Sequence, residues 1–352
     1  MTRTLLMLPG DGIGPEVAAA AKLCLEAVAA AEGLDLAFDD APFGGAGIDA
    51  CGSPLPGETL AKAKAADAIF LGAVGGPKWD EAPERPEKGL LGLRKALGLF
   101  ANLRPVKVFD GLEHLSPLKE ERVTGADVLI VRELTGGLYF GEKREGVTEA
   151  FDGCAYTAEE VERIARIAFD AAAGRKSRLT SVDKANVLAT SRLWRRTVER
   201  LRSEYADVSV DHLYVDAAAM ALVTGPARFD VILTENLFGD ILSDEAAVIS
   251  GSIGLLGSAS LGLTGPGLFE PIHGSAPDIA GRGIANPSGA IASAAMLLRH
   301  GLGETAAADR LDAALEAELR DGERPADLGG SARTMAFAEK VAERAGRVRA
   351  AA

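Results

Sequence analysis

No run of about 18 uninterrupted apolar residues occurs in the chain, which argues against a transmembrane span. Met1 to Leu8 leads straight into Pro9-Gly10-Asp11-Gly12, with no long apolar segment or small-residue cleavage site, so neither secretion nor organelle transit is expected. Cysteine is scarce: Cys24, Cys51 and Cys154 are widely spaced and odd in number, and no CxxC pair exists to hold zinc or carry redox chemistry. Reduced thiols in the cytoplasm are the expectation. Positive charge is also in deficit: 38 Lys and Arg face 51 Asp and Glu, and the formal charge of −13 speaks against a nucleic-acid or acidic-membrane partner. Repeats, low-complexity segments and an obvious linker are missing too. What remains is ordinary for a globular protein, 47% apolar and 25% charged over 352 residues, long enough for two domains. The expected ligands are small molecules, and if these are anions, local arginines must overcome the overall repulsion.

Short apolar strand candidates alternate with Ala-rich helix candidates, the pattern of an α/β protein. Leu5–Leu8, Ala68–Val74, Val128–Arg132, Leu179–Val182, Val208–Val215 and Val231–Thr234 read as strands. A helix is predicted from Pro15 to Ala31, and another from the capping-box spacing of Thr157 and Glu160 to about Ala173. Residues 251–286 read as a long irregular loop rich in Gly, Ser and Pro, and a loop that long is usually functional. Helices resume near Ser288 and over Glu304–Leu319.

The strongest chemical signal is Asp240 and Asp244 in the segment Glu235-Asn236-Leu237-Phe238-Gly239-Asp240-Ile241-Leu242-Ser243-Asp244. Four residues apart, they share one helix face with Leu237, Ile241 and Val248. Carboxylates buried on an apolar helix need a positive counterpart; oxygen-only donors favour Mg²⁺ or Mn²⁺, and a solvated pair is the alternative. Asp216, at a strand end in Tyr214-Val215-Asp216, would make a third ligand. Arg94, Arg104 and Arg132 are candidate carboxylate clamps if they converge, and surface or ion-pair residues if they do not. Lys184, after a strand end, is a candidate base or charge partner. Tyr139 lies in a glycine-bounded segment followed by charges, where an arm or hairpin that meets another subunit is plausible.

Gly10-Asp11-Gly12-Ile13-Gly14 is GxGxG rather than GxGxxG, and Asp11 and Glu16 would repel a pyrophosphate, so a structural strand-to-helix turn beside a site is preferred to a dinucleotide loop. The loop His273-Gly274-Ser275-Ala276-Pro277-Asp278 suits close approach by a nucleotide. Asp278 would accept both ribose hydroxyls and repel a 2′-phosphate, favouring NAD over NADP, although Arg282 nearby weakens that inference. No GxSxG elbow occurs, which disfavours a hydrolase.

In sequence order, Gly10–Glu16, Arg132-Glu133-Leu134-Thr135-Gly136-Gly137, Thr234–Asp244 and His273–Gly281 resemble the β-decarboxylating dehydrogenases, a family that includes isopropylmalate, isocitrate, homoisocitrate, tartrate and D-malate dehydrogenases. The resemblance covers essentially the whole chain. It implies an α/β fold distinct from the Rossmann type. Residues 1–99 plus 252–352 would form one domain and residues 100–251 the other, sharing a continuous mixed sheet, with a dimerisation arm at about 133–153. It also implies a homodimer with shared active sites, in which Lys184 and Asp216 serve the second copy. NAD would be held by His273 to Asp278 and by Asn286, and Mg²⁺ or Mn²⁺ by Asp240, Asp244 and the other copy's Asp216.

Within this family the segment before Arg94, from Glu87, reads the substrate's variable group. Leu90 and Leu91 would bury an isopropyl group, worth about 1–2 kcal/mol for two methyls, and leave a third carboxylate unpaired. Oxidative decarboxylation of an isopropyl-substituted malate is therefore expected over isocitrate; D-malate, tartrate and homoisocitrate are the alternatives within the family. The three arginines would hold the dicarboxylate, Lys184 would assist removal of the hydroxyl proton, and Tyr139 would protonate the enol carbon. A catalytically idle NAD-binding scaffold is the alternative of a different class, and retention of Asp240, Lys184 and Tyr139 speaks against it. Gly257, where the family usually has Pro, would loosen the adjoining loop.

Overall fold

The computed structural model describes residues 1–347. The chain divides into two compact units, Met1–Leu99 with the segment from Ser252 onward, and Phe100–Gly251. The first unit opens with β1 (Arg3–Gly10), α1 (Gly14–Glu32), β2 (Leu36–Asp40), α2 (Gly45–Cys51), α3 (Gly57–Ala65), β3 (Ala68–Ala73) and α4 (Pro86–Ala96). The second unit begins with β4 (Ala101–Lys107), α5 (Glu120–Val123), β5 (Asp127–Glu133) and the short β6 (Lys143–Glu145) and β7 (Ala150–Asp152). It continues with α6 (Ala158–Ala173), β8 (Arg178–Asp183), α7 (Ala189–Leu201), β9 (Ser209–Tyr214), α8 (Val215–Thr224), β10 (Val231–Thr234) and α9 (Asn236–Ile249). The chain then completes the first unit with β11 (Gly257–Leu261), β12 (Leu268–Pro271), α10 (Ser288–Met296), α11 (Thr305–Asp321) and α12 (Thr334–Gly346).

In the first unit the strand order is β2-β1-β3-β12-β11, parallel except for the antiparallel β11–β12 pair. β3 is buried at every position, which accounts for its continuous apolar sequence: a parallel strand covered on both faces has no solvent side to alternate toward. Leu6, Leu8, Phe43, Ile69, Leu71, Leu93 and Leu268 form a core beside it. Pro15 sits in the first turn of α1, where its missing N–H costs nothing, and Gly33 closes the helix at φ +69°. In the second unit the order is β4-β5-β10-β8-β9, parallel apart from β4, which runs antiparallel to β5. Thr157 and Glu160 form a reciprocal capping box at the start of α6.

Residues 251–286 are not wholly irregular: β11 and β12 pair within them. Their small residues pack rather than loosen. Gly257 is buried, and a Cβ there would meet the Ser293 backbone nitrogen at 2.7 Å, so the glycine admits α10 against β11. β4 has no apolar run to announce it and carries Pro105, yet its alternation sets Asn102 and Arg104 on one face. β6 and β7 form an exposed antiparallel hairpin just beyond Tyr139. Among the described residues no helix is long and apolar enough to cross a membrane.

Candidate active site

Three side chains of the β4–β5 pair begin the site in the second unit. Asn102 stands opposite Arg132 in the antiparallel register, and Arg104 lies two residues further along β4; all three therefore share one face of the pleat. α9 covers that face. Gly239 makes the approach close, since a Cβ there would lie 2.6 Å from Cγ of Arg132.

Arg132 donates from Nε and Nη2 to Asn236 Oδ1 at 3.1 and 2.9 Å, and from Nη1 to Asp240. Arg104 donates from Nη1 to Ser243 Oγ at 2.6 Å and Asp244 Oδ1 at 3.0 Å, and from Nε to Asn102 Oδ1 at 2.8 Å. Tyr139 donates its hydroxyl to Asp240 Oδ2 at 2.7 Å. Its phenol is held above the ordinary value by burial first and by the Asp240 carboxylate second. Arg104, Arg132, Tyr139, Asp240 and Asp244 thus form one cluster, with two guanidinium charges set against two carboxylates.

That cluster corrects the expectation of a buried carboxylate pair. The Asp244 side chain is 71% exposed, and Ile241 and Val248, on the same helix face, are 57% and 59% exposed. The apolar neighbours lie on an outward surface of the single chain rather than in its core, so desolvation is not what demands a positive partner. Arg104 and Arg132 already supply one. Among the described residues no three His, Cys, Asp or Glu side chains stand close enough to hold a metal ion, so Asp216 does not complete the pair within one chain. Asp216 opens α8 and pairs instead with Lys184 just beyond β8; that lysine holds the exposed carboxyl below its usual range.

In the first unit Arg94, on α4, donates from Nη2 to Glu270 Oε1 at 2.7 Å, and its Nε is buried with no partner among the described residues. Glu87, in the first turn of α4, faces the turn at Gly75, where a Cβ would lie 2.6 Å from its Oε1. Leu90 is partly buried against the core, whereas Leu91 is 51% exposed; the two leucines therefore do not present one apolar wall.

The loop after β12 is fastened by the glycine turn after β1. The Ile13 amide donates to the Ser275 carbonyl at 2.8 Å, and the Gly281 amide to Glu16 Oε1 at 2.5 Å. Asp11 accepts from the amides of Gly45, Ala46 and Gly75, each at 2.8 Å. The acidic residues of the glycine motif are spent on backbone, as a structural turn requires. His273 keeps its Nδ1 2.9 Å from the Gly274 carbonyl, while Nε2 is buried with no partner among the described residues. Burial lowers its pKa and favours the neutral ring. Ser275 is buried, Ala276 has φ +38°, and Gly274, Pro277 and Asp278 are exposed. Asn286 is already occupied: its Nδ2 donates to Asp327 Oδ2 at 2.9 Å and its Oδ1 accepts from the Ser288 amide at 3.0 Å.

Sequence reading missed Asn102, Asn236, Ser243, Glu270 and Asp327. The strand alternation around Arg104 carried a signal for Asn102, and the helical spacing around Asp240 carried one for Asn236 and Ser243. Asp327, which also accepts from Ser252 Oγ at 2.5 Å, sits in a turn with no pattern to mark it.

The family model described as isocitrate/isopropylmalate dehydrogenase matches residues 4–343. A 3-isopropylmalate dehydrogenase of Streptococcus thermophilus is 55% identical over 334 residues, covering 95% of this chain and 97% of that protein. Another, from Anaeromyxobacter dehalogenans, is 54% identical over 351 residues, covering 98% and 99%. Among solved structures, isocitrate dehydrogenase from Methylococcus capsulatus superposes with TM-score 0.86 at 37% identity, covering 98% of this chain and 100% of that one. A β-decarboxylating dehydrogenase from Thermococcus kodakarensis gives 0.82 at 41% identity, covering 97% and 96%.

Proposed function

The chain belongs to the isocitrate/isopropylmalate dehydrogenase family, and on that premise we propose that it oxidises and decarboxylates (2R,3S)-3-isopropylmalate to 4-methyl-2-oxopentanoate and CO₂ with reduction of NAD⁺, a step of leucine biosynthesis. The observation that carries this reading is the cluster of Arg104, Arg132 and Tyr139 on Asp240 and Asp244. It combines carboxylate recognition, a proton donor and hard-cation ligands on one face. The relatives named 3-isopropylmalate dehydrogenase support the substrate, as does Leu90, an apolar side chain where an isocitrate-type substrate needs polar partners for its third carboxylate.

Asp240 and Asp244 offer an oxygen-only donor set one helical turn apart, which fits Mg²⁺ or Mn²⁺. The orphaned Nε2 of His273 and the exposed Asp278 carboxylate fit a nucleotide with free ribose hydroxyls, and so NAD. When bound, the cation would supply Lewis-acid stabilisation and the nicotinamide a hydride acceptor. The chain's own groups do the rest. Arg104 and Arg132 bind the substrate's carboxylate charge, and Lys184, from the second copy, assists removal of the hydroxyl proton. Tyr139, kept protonated by its raised pKa, delivers the proton that replaces the lost carboxylate.

The active unit in this reading is a homodimer in the cytoplasm. Met220 and Val223 on α8 and Ile241 and Val248 on α9 are exposed apolar side chains on two helices that pack together, a surface suited to a second copy. The second copy's Lys184 and Asp216 would then complete the site, Asp216 as the third carboxylate ligand. The test is an NAD⁺-reduction assay on isopropylmalate, D-malate, tartrate and isocitrate, with and without Mg²⁺. Isopropylmalate should have the highest kcat/KM and require the metal; a higher value for any other acid overturns the substrate assignment.

A further inference from the structure

One buried side chain in the second unit touches both halves of the chemistry without being a candidate ligand or acid. Asn236, the first residue of α9, is 1% exposed. Its Oδ1 accepts from Nε and Nη2 of Arg132, and its Nδ2 donates to the Gly136 carbonyl at 3.3 Å. Its amide donates to the Tyr156 hydroxyl at 3.0 Å. Gly136 and Gly137 form the turn that carries Tyr139, and they lie so close to Tyr156 that a Cβ on Gly136 would be 2.5 Å from its ring and one on Gly137 2.5 Å from its hydroxyl oxygen. Glu133 holds the same turn from the other side, accepting from the Thr135 and Gly136 amides at 2.9 and 2.7 Å.

We infer that Asn236 is a positioning residue that sets Arg132 and the Tyr139 turn in a single arrangement. The inference rests on the reading of Arg132 as a substrate clamp and Tyr139 as the proton donor. A guanidinium has three edges on a long flexible stem. Asn236 captures the Nε–Nη2 edge with one oxygen, Gly239 leaves room for the stem, and Nη1 is thereby aimed at Asp240. A carboxamide is the side chain suited to this place: it presents an acceptor to the cation and a donor to the Gly136 carbonyl, whereas a carboxylate would have no donor and an apolar residue neither. Ordering the clamp before substrate arrives removes rotamer entropy from the binding step.

A double-mutant cycle of Asn236→Ala and Arg132→Lys tests this in the full-length enzyme. Asn236→Ala should lower kcat/KM for isopropylmalate about 10- to 100-fold, as loss of an orienting partner does, with the KM for NAD⁺ unchanged. In the Arg132→Lys background the same change should cost less than about threefold, because the residue it acts through is already altered. Costs that multiply, or an equal rise in the KM for NAD⁺, overturn the proposal. If the alanine variant does not fold, Asn236→Ser replaces it, serine being accepted at a helix start. A second readout is independent of turnover: the ¹⁵N-guanidinium Nε–H signal of Arg132 should be protected from exchange in the wild type, exposed in Asn236→Ala and retained in Tyr156→Phe. Protection that survives Asn236→Ala overturns the proposal whichever acid the enzyme uses, while wild-type turnover of a different acid overturns only the substrate assignment.

Discussion

The α9 cluster and the His273 loop prepare for ligands in opposite ways. Around α9 the groups are paired in advance: Asp240 and Asp244 are held by Arg132, Arg104 and Tyr139. Around His273 the backbone is fastened, through Ile13 to Ser275 and Glu16 to Gly281, but the ring nitrogen Nε2 is buried with no partner among the described residues. In the proposed reading the first region would recognise charge by exchanging one set of ion pairs for another, and the second would offer a buried ring nitrogen to a ligand from a rigid frame. Mutations should accordingly damage the first through chemistry and the second through affinity.

The largest effect is expected at Asp240. Asp240→Asn removes the charge partner of Arg132 and, in the proposed reading, a metal ligand with it; with Lewis-acid stabilisation worth several kcal/mol, kcat should fall more than about a hundredfold. Near-normal turnover with an intact Mg²⁺ requirement in a steady-state assay would remove the metal assignment. Tyr139→Phe deletes only the hydroxyl proposed as proton donor, with an expected loss of about a hundredfold at the general-acid step. The burst of NADH formation should survive while steady-state release of the 2-oxo acid slows, and equal slowing of both phases would count against this role.

The two regions should also answer pH in opposite directions. Glu235, just before α9, is buried beside Ser191 and near Asp183, and burial raises its carboxyl from 4.5 to about 7. A raised folded-state pKa means stability that is present below pH 4.5 and lost as pH rises through 7, up to about 3 kcal/mol for a shift of this size. Glu235→Gln should match the wild type in Tm at pH 5 and exceed it at pH 8; parallel Tm–pH curves would show that Glu235 titrates normally. His273 has the reverse sign. Its pKa is lowered by burial, so its contribution is present above pH 6.5 and lost as pH falls through the folded value. The smallest effect in this series is His273→Ala, which should raise the KM for NAD⁺ about tenfold, the equivalent of one buried hydrogen bond, and leave kcat within about twofold. A kcat loss as large as that of Asp240→Asn would erase the contrast between the regions.

Much of the second unit's cluster was legible because its residues obey short-range periods. Asp240 and Asp244 are one helical turn apart; the two-residue spacing of Asn102 and Arg104 went unread because no apolar run marks β4. The strands flanking Arg132, Lys184 and Asp216 announced themselves by apolar runs, and the capping box of α6 by its spacing. What periodicity did not carry was the side of α9 that faces outward. Ile241 and Val248 read as core and are exposed in the single chain, because an apolar stripe does not say whether its own chain or another one covers it. In the first unit β11 was hidden by small residues and β12 by its brevity, and the partners of Arg94 and Asn286 lay 176 and 41 residues away.

The amino-acid sequence by itself determined the α/β class, the positions of half the strands and of several long helices, the structural reading of the glycine turn and the chemistry available at Asp240, Asp244, Tyr139 and Lys184, since local spacing and side-chain type suffice for each. Only the tertiary structure decided that Arg104 and Arg132 converge on α9, that Arg94 is tied to Glu270, that Asp216 pairs with Lys184 rather than joining Asp240, and that Asn236 binds the clamp to the Tyr139 turn. Those are contacts between distant segments, fixed by strand register and helix packing, and a linear pattern holds no record of which distant side chain will satisfy a given donor.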